Sequence, residues 1–347
     1  MQDDAALLSE DELALINALQ LRPRGSWSEL GHALGVDPVT VARRWQRLTR
    51  RGVAWVSPSP GPRLLDQITV AYVEIGCTAD AAAAVSRSLC EHPHMVTVER
   101  CAGTYNLLAT VGARDLATMS HYTLDVLPAI PHVAAVRARI VTHMFTEGGR
   151  WRIDALAPDQ RAELDTPPPP PPSAPVRAAS IDDADRAMLA QLAMDGRASH
   201  QYLATVVGAS ASTVKRRLDR LTRLGLLQFR CDFARPLGGW PVAVTLWLDV
   251  PPDRLAEIGD AIVRLPQTRN CAAISGGHNL LIQANLHSLA DIPRLEAGLA
   301  AAHPALRIAE RTVTLRHDKL FGHILDPRGR SRRVVRPDIW SEPASAG

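Results

Sequence analysis

TVARRWQRLTRRG occupies residues 40–52 of this chain, and TVKRRLDRLTRLG occupies residues 213–225. Nine of the 13 positions are identical. The offset that carries Thr40 onto Thr213, which we call the repeat offset, also relates Gly35 to Gly208 and Gly103 to Gly276 without a gap. A register kept over about 120 residues indicates an internal duplication, which has to be recognised before the fold is assigned. The 347 residues therefore contain two copies of one unit.

Each segment is the third of three short helical patterns. The first helix begins at a capping box in copy one, Ser9-x-x-Glu12, and at Asp182 in copy two. The third begins at Asp37, followed by proline, or at Ser210, both good N-cap residues. Three short helices with a glycine-containing turn are typical of a helix-turn-helix. The apolar stretches VAWV and LLQF that follow suit the wing of a winged helix.

The third helices are strongly basic on one side. Val41, Trp45 and Leu48 form an apolar stripe in copy one, and the arginines lie off it. A run of charge on a single helix is usually a solvated face, but here the charges are nearly all positive and the arrangement occurs twice. Small residues at the helix start leave room for base edges, and arginines further along can hold phosphates. The predicted DNA-binding residues are Val39, Thr40, Arg43, Arg44, Arg47, Arg50, Ser210, Ser212, Thr213, Lys215, Arg216, Arg217, Arg220 and Arg223.

The remainder of each copy alternates strand and helix patterns in the order β-α-β-β-α-β, the ferredoxin-like split motif. The predicted fold class is therefore α+β, with two winged helix-turn-helix domains and two ferredoxin-like domains. The predicted boundaries are 8–57 and 180–230 for the helix-turn-helix domains, 64–150 and 237–325 for the ferredoxin-like domains, 158–179 for a proline-rich linker and 326–347 for an irregular tail.

Composition excludes several classes of protein. Charged residues make up 22% and hydrophobic residues 46%, which is ordinary for a globular protein. No apolar run is long enough for a membrane span, and the five cysteines lack metal-site spacing. His92 and His94 are the one close histidine pair, and no familiar catalytic motif is present. We expect a cytoplasmic, nucleoid-associated protein without metal, cofactor or catalytic residues.

Six consecutive prolines, 167–172, favour a stiff spacer over a ligand for an SH3-type domain.

The sequence resembles the Lrp/AsnC family of transcription regulators. Copy two carries the family opening in Ile181-Asp-Asp-Ala-Asp185-Arg186-Ala-Met-Leu189 and in Val214 to Gly225, while copy one is more degraded. The resemblance covers about residues 8–150 and 181–325. It implies a DNA-binding regulator whose ferredoxin-like domains bind a small effector and form oligomers, so we expect double-stranded DNA as partner and a homodimer or larger assembly. Unpaired sheet edges would favour such association.

The resemblance also implies an effector site at a glycine turn before the third strand of each domain. The matching residues are Gly103, Thr104, Tyr105 and Asn106 in copy one and Gly276, Gly277, His278 and Asn279 in copy two. Both copies have asparagine where the family often has a carboxylate, and asparagine cannot supply a negative charge for an α-ammonium group. An amino-acid effector and a plain hairpin without ligand both stay open.

Two other functions remain as alternatives to a sequence-specific regulator. One is a DNA-architectural protein. The other is an enzyme, because siroheme decarboxylases resemble the same family and occur as fused pairs. Their histidine- and arginine-rich substrate motifs are not evident before the glycine turn of copy one, which reads Val98-Glu-Arg100-Cys-Ala-Gly.

Overall fold

The computed structural model describes residues 7–165 and 181–343. These form two compact units. The first contains residues 7–67, 152–165, 181–234 and 330–336, and the second contains residues 68–151, 235–329 and 337–343. Each repeat therefore gives its helical part to the first unit and its β-rich part to the second.

The first unit contains the two predicted sets of three helices. Copy one forms α1 (Glu10–Leu21), α2 (Trp27–Leu34), α3 (Pro38–Arg50) and β1 (Ala54–Pro60), followed by the short α4 (Pro62–Leu65). Copy two forms α8 (Asp183–Leu192), α9 (His200–Val207), α10 (Ala211–Arg223) and β6 (Leu227–Phe233). We call each set of three helices a head.

The predicted helix starts agree with the structure. Ser9 and Glu12 form a reciprocal capping box at the start of α1, and Asp182 forms the equivalent box at α8. Val41, Trp45 and Leu48 are buried, so the apolar stripe of α3 packs into its head. Local capping chemistry and a 3.6-residue period are enough to specify these helices.

The two stretches expected to be wings pair with each other instead. β1 and β6 form an antiparallel two-stranded ribbon, from Ala54 opposite Phe233 to Pro60 opposite Leu227. Ala54, Trp55, Val56 and Ser57 are all buried. A strand that is buried on both faces cannot serve as an exposed wing, and pairing with the other repeat satisfies its backbone groups.

A reciprocal arginine contact joins the two heads. Arg24 donates to the backbone oxygens of Gly196 and Ala198, at 2.5 and 3.0 Å. Arg197 donates to the backbone oxygens of Pro23 and Gly25, at 2.6 and 2.7 Å. Donors and acceptors are each related by the repeat offset, so the heads are paired by pseudo-twofold symmetry. Burial lowers the pKa of Arg197 to about 10, and it lowers that of Arg24 as well.

One segment expected to be a stiff linker and another expected to be an irregular tail each contain regular secondary structure. Within the predicted linker, Pro158–Leu164 forms α7, with proline at its first position and Leu164 buried. The proline run at 167–172 lies outside the described residues. In the predicted irregular tail, Ser331–Val334 forms β12, and the Ser331 amide donates to the Gly52 oxygen at 2.8 Å. Gly52 and Ser331 are far apart in the sequence, so composition alone does not reveal this contact.

The second unit contains the two predicted β-α-β-β-α-β motifs. Copy one forms β2 (Thr69–Cys77), α5 (Ala82–Glu91), β3 (Met95–Cys101), β4 (Leu107–Ala113), α6 (Leu116–His121), continued by a π-helical turn, and β5 (Val133–Thr146). Copy two forms β7 (Val242–Asp249), α11 (Leu255–Val263), β8 (Thr268–Ile274), β9 (Leu280–Leu286), α12 (Asp291–Ala302) and β10 (Arg307–Leu320), which is extended by β11 (His323–Leu325).

The two four-stranded sheets close into one ring. Their orders are β3-β4-β2-β5 and β8-β9-β7-β10, and β5 pairs with β8 while β10 pairs with β3. Val141 lies opposite Ile274 at one seam, and Thr314 lies opposite Cys101 at the other, again related by the repeat offset. The edge strands therefore pair with the other repeat, so association through free sheet edges, which we expected, is not available to these strands.

Replacement of Arg197 by alanine tests the pairing of the heads. The backbone oxygens of Pro23 and Gly25 would lose their donor, so we expect the free energy of unfolding of the first unit to fall by about 1–3 kcal/mol. Denaturant unfolding of the full chain measures it. Arg264→Ala, which removes an exposed arginine from the end of α11, is the matched control, and equal effects of the two substitutions would contradict the role of Arg197.

Candidate DNA-binding and effector sites

The predicted DNA-binding arginines fall into two groups. In the first group, each arginine is paired with an acidic residue at the start of the first helix of its own head. Arg47 lies 3.6 Å from Glu12 in the first head, and Arg220 lies 2.6 Å from Asp185 in the second. The two pairs occupy equivalent positions in the two repeats. They fasten the third helix to the first and are part of the head's own structure.

Arg44 and Arg217 belong to the same group. Arg44 lies 2.8 Å from Asp11, and Arg217 lies 2.7 Å from Asp182 and 3.0 Å from Asp185. Hydrogen bonds from Arg217 hold the pKa of the Asp182 carboxyl below its usual value. The contribution of Asp182 to stability is therefore present at neutral pH and is lost as the pH falls through its lowered pKa.

Four arginines form the second group, which we call the free arginines: Arg43, Arg50, Arg216 and Arg223. All four are exposed. Within the part of the chain that the structure describes, none of them has an acidic partner; Arg216 contacts the Thr213 hydroxyl at 3.3 Å, and Arg223 contacts the Asp219 backbone oxygen at 3.4 Å. Since Arg43 maps on Arg216 and Arg50 on Arg223, the duplication places these cations at equivalent points of both heads.

The helix starts differ between the heads. Val39 is 75% exposed in the first head, and its equivalent Ser212 is an exposed hydroxyl. The Ser210 hydroxyl accepts from the Thr213 amide and lies 2.9 Å from the hydroxyls of Ser212 and Thr213. Ser210 therefore caps α10, while Val39 and Ser212 present unlike chemistry at the same position. Thr40 is half-buried, and Lys215 is exposed and pairs with Asp219 at 2.7 Å.

An open groove of about 1320 Å³ runs along α10 within the first unit. Its other wall is the turn between α1 and α2 of the first head. Seven basic and two acidic residues line it, so the groove is strongly positive. Arg22 and Arg24 of the first head line this groove beside α10 of the second. The sequence did not predict them as part of the site, because the groove forms only where the two heads meet.

The predicted effector residues lie on two glycine turns in the second unit. Gly103 and Gly276 have φ of 140° and 112°, values that side chains disfavour. Each turn contacts the last strand of the other repeat, since the Ala102 amide donates to Val313 at 3.0 Å and the Ser275 amide donates to Ile140 at 2.8 Å. Both turns are thus at seams between repeats.

The two asparagines of these turns are bonded to backbone. Asn106 accepts from the Cys77 amide at 3.1 Å and donates to the Cys77 oxygen at 2.8 Å. Asn279 makes the same pair of bonds to Val250, at 2.9 and 2.7 Å. A carboxylate could accept but not donate there, because an ionised carboxylate has no proton. Asparagine in these positions therefore has a structural reason.

The neighbours of the two turns differ. The Arg137 guanidinium lies over the Tyr105 ring, 4.6 Å from its centre. At the second turn, His278 lies 2.7 Å from Asp249. Thr104 and Gly277 are exposed. The turns thus offer an arginine and an aromatic ring on one side and a histidine–carboxylate pair on the other.

Neither a metal centre nor a membrane span is found in the described ranges. No group of three or more His, Cys, Asp or Glu side chains there could hold a metal ion. No helix there is both long and apolar enough to cross a bilayer.

Models of known families match the heads and the first β-rich domain. Residues 8–49 and 181–222 match the AsnC-type helix-turn-helix domain, and residues 70–151 match the Lrp/AsnC ligand binding domain. The Bkd operon transcriptional regulator of Pseudomonas aeruginosa is 33% identical over 116 residues, which are 32% of this chain and 76% of the relative. The chain belongs to the Lrp/AsnC family. It is accordingly a DNA-binding transcriptional regulator with a tandem arrangement of the family's domains.

Other relatives agree with this assignment. The HTH-type transcriptional regulator Rv2324 of Mycobacterium tuberculosis is 29% identical over 142 residues, 39% of this Lrp/AsnC chain and 92% of the relative. Among solved structures, siroheme decarboxylase NirDL aligns over 89% of this chain and 92% of its own, with a TM-score of 0.58 and 12% identity. At that identity the likeness shows a shared fold and says nothing about activity.

Replacing Arg220 and Arg223 separately distinguishes the two groups of arginines. Asp185 is fully buried, so Arg220→Ala weakens the pairing of a buried carboxylate, and we expect the free energy of unfolding to fall by about 1–3 kcal/mol. Arg223→Ala removes an exposed side chain and should change it by less than about 0.5 kcal/mol. Denaturant unfolding at neutral pH compares them. The grouping is wrong if Arg223→Ala costs as much as Arg220→Ala.

Proposed function

We propose that this regulator binds double-stranded DNA through the free arginines of both heads. The main support is that two pairs of arginines at equivalent positions of the two heads, Arg43 with Arg216 and Arg50 with Arg223, are exposed. Among the described residues, none of the four has an acidic partner. Exposed guanidinium groups suit bidentate contacts with phosphate and guanine. The arginines of the first group act indirectly in this proposal, because they hold the third helix in place through the acidic residues of the first.

The two heads read unlike half-sites. Val39 offers an apolar surface that suits a thymine methyl group, whereas Ser212 offers a hydroxyl that hydrogen-bonds to a base edge. A chain with two such heads would favour an imperfect palindrome, with half-sites one helical turn apart, about 10–10.5 bp, or a multiple of that distance. A reader of this kind is a sequence-specific regulator; an architectural protein would bind with little dependence on sequence.

The double variant Arg43→Ala/Arg216→Ala tests the DNA contacts. A lost phosphate contact should reduce the slope of log affinity against log salt by about 0.9 per contact, and a lost base contact should cost about 1–3 kcal/mol of binding free energy. Fluorescence anisotropy at several salt concentrations, on a site selected from random DNA, measures both quantities.

The control for this experiment is Arg87→Ala/Arg264→Ala. It removes the same charge from two exposed residues of the second unit. If this control and the Arg43/Arg216 variant bind equally well with equal salt slopes, the free arginines are not the DNA contacts.

We also propose that a small effector binds at the glycine turns, because each turn lies where the two repeats meet. Asn106 and Asn279 are occupied by backbone, so the ligand would be held by the neighbouring groups: Arg137 with Tyr105 at the first turn, and His278 with Asp249 at the second. Arg137 also lies 3.6 Å from the buried Glu74, so a carboxylate ligand, which an amino acid or a related metabolite would provide, would have to share this arginine with Glu74. The two turns differ, so we expect unequal affinities.

We propose that the chain regulates transcription without catalysis, although its fold is shared with siroheme decarboxylase NirDL. Glu99 contacts Gln283 at 3.1 Å and Thr314 at 2.6 Å, and Arg100 contacts Asp318 at 2.6 Å. The two charged residues before the first glycine turn are thus engaged in internal contacts.

Titration with an iron porphyrinoid tests this proposal. Because Glu99 and Arg100 are already paired, we expect the purified chain to show no shift of the Soret band on addition of the ligand, and no decarboxylated product. A saturable spectral shift at one equivalent per chain, together with product, would show that the chain is an enzyme.

A further inference from the structure

The two seams of the eight-stranded ring have the same backbone geometry. His143 lies opposite Ala273 where β5 meets β8, and Arg316 lies opposite Arg100 where β10 meets β3. The pairs are related by the repeat offset, and both seams have register shifts at equivalent points. Backbone pairing alone would therefore allow either repeat to pair with a second copy of itself, so any selectivity has to come from side chains.

The Phe145 seam, formed by β5, β8 and α11, is apolar. The ring of Phe145 lies directly on Gly259 of α11, and a Cβ atom added to Gly259 would overlap Phe145 Cζ. Gly259 is buried. No side chain fits at residue 259 while the phenylalanine occupies this position, because a close-packed interior leaves no space for the extra atoms.

The Asp318 seam, formed by β10, β3 and α5, is ionic at the equivalent point. Asp318 takes the place of Phe145, and Ser86 takes the place of Gly259. The Ser86 hydroxyl donates to Asp318 at 2.5 Å, Arg100 donates at 2.6 Å and Arg316 donates at 2.5 Å. Ser86 is fully buried and Asp318 is 7% exposed.

These hydrogen bonds keep the buried carboxyl charged. Burial alone would raise the pKa of Asp318, but its three donors outweigh burial and hold the pKa below the usual value. The seam is therefore ionic at neutral pH, and its contribution is lost as the pH falls through the lowered pKa. A charged carboxylate that lost its donors in this place would be strongly unfavourable.

Pairing of like repeats would mismatch these side chains. In a pair of two copies of repeat one, Phe145 would meet Ser86, where neither the Cβ nor the hydroxyl has room. In a pair of two copies of repeat two, Asp318 would meet Gly259, and Ala273 would stand where Arg100 donates. Only Arg316, from the same strand as Asp318, would remain as a donor.

We propose that the Phe145–Gly259 and Asp318–Ser86 contacts make each repeat selective for the other, so that the partner surface of repeat one is repeat two and not a second copy of itself. The selectivity combines a steric rejection at one seam with the loss of buried donors at the other. The polyproline-containing connection then only has to bring the correct partner close; the side chains determine which pairs are stable.

The exchange variant Phe145→Asp/Asp318→Phe tests the proposal without changing composition. Within one chain, the aspartate introduced at position 145 would meet Gly259, and the phenylalanine introduced at position 318 would meet Ser86. Between like repeats of two chains, both introduced side chains would find their proper partners. We therefore expect the ring to stop closing within the chain and the assembly to contain twice as many chains as the parent, measured by light scattering.

A disulfide across one seam reports the partner directly. In a His143→Cys/Ala273→Cys background, the parent chain refolded under oxidising conditions should form the 143–273 disulfide within one chain at any protein concentration, identified by peptide mass spectrometry. The exchange variant should lose at least nine-tenths of it. Formation of this disulfide at the parental level in the exchange variant would overturn the proposal.

A restoring variant separates selectivity from simple misfolding. Adding Ser86→Gly and Gly259→Ser to the exchange variant puts the phenylalanine–glycine and aspartate–serine contacts back, with the seams interchanged. Because the arginine donors stay at their original seam, we expect the in-chain disulfide to return to at least half of the parental level. If the exchange variant does not fold and the restoring variant does not recover, the contacts carry no selectivity and the proposal is wrong.

Discussion

Backbone pairing between the two repeats is the constraint on which the second unit depends. Neither four-stranded sheet is closed by its own strands, and the edge strands β3 and β5 of the first repeat are both satisfied by strands of the second. An edge strand left unpaired would expose a row of donors and acceptors. The first unit follows the same rule on a smaller scale, because β1 and β6 complete each other and the arginines at 24 and 197 donate to backbone of the opposite head. A single repeat is therefore not a complete structural unit.

Local features of the fold were predictable from sequence, and contacts between repeats were not. The constant offset, the capping boxes and the apolar stripe of each third helix specify the helices, because each helix depends on residues within a few positions of one another. The pairing of β1 with β6 depends on residues in different repeats, far apart along the chain. Alternation could not reveal it, because five of the seven residues of β1 are buried, including Ser57 and Ser59, so burial follows neither a period of two nor the polarity of the residues.

The sequence contains a signal that separates the internally paired arginines from the free arginines, but a count of charges does not reveal it. The repeat offset relates Glu12 to Asp185 as it relates Arg47 to Arg220, so opposite charges recur together in both copies. A cation whose acidic partner is duplicated along with it is more simply explained by an internal ion pair than by a nucleic-acid contact. For the glycine turns, the duplicated asparagines indicated a shared structural role, but the backbone groups that they hold, at Cys77 and Val250, lie at the end of β2 and directly after β7 and are identified only by the structure.

Closure of the ring also means that β3 of the first repeat is synthesised long before the strand that pairs with it. β3 ends at Cys101, and its partner on β10 lies about 200 residues further along the chain. At roughly 5–20 residues per second, the first repeat waits about 10–40 s on the ribosome before its outer strand can be covered. During that interval two strand edges and an apolar face are open to any neighbour, including the same segment emerging from an adjacent ribosome on one message. A mismatch between like repeats would give such encounters little stability, so the nascent first half would remain available until its own second half arrives.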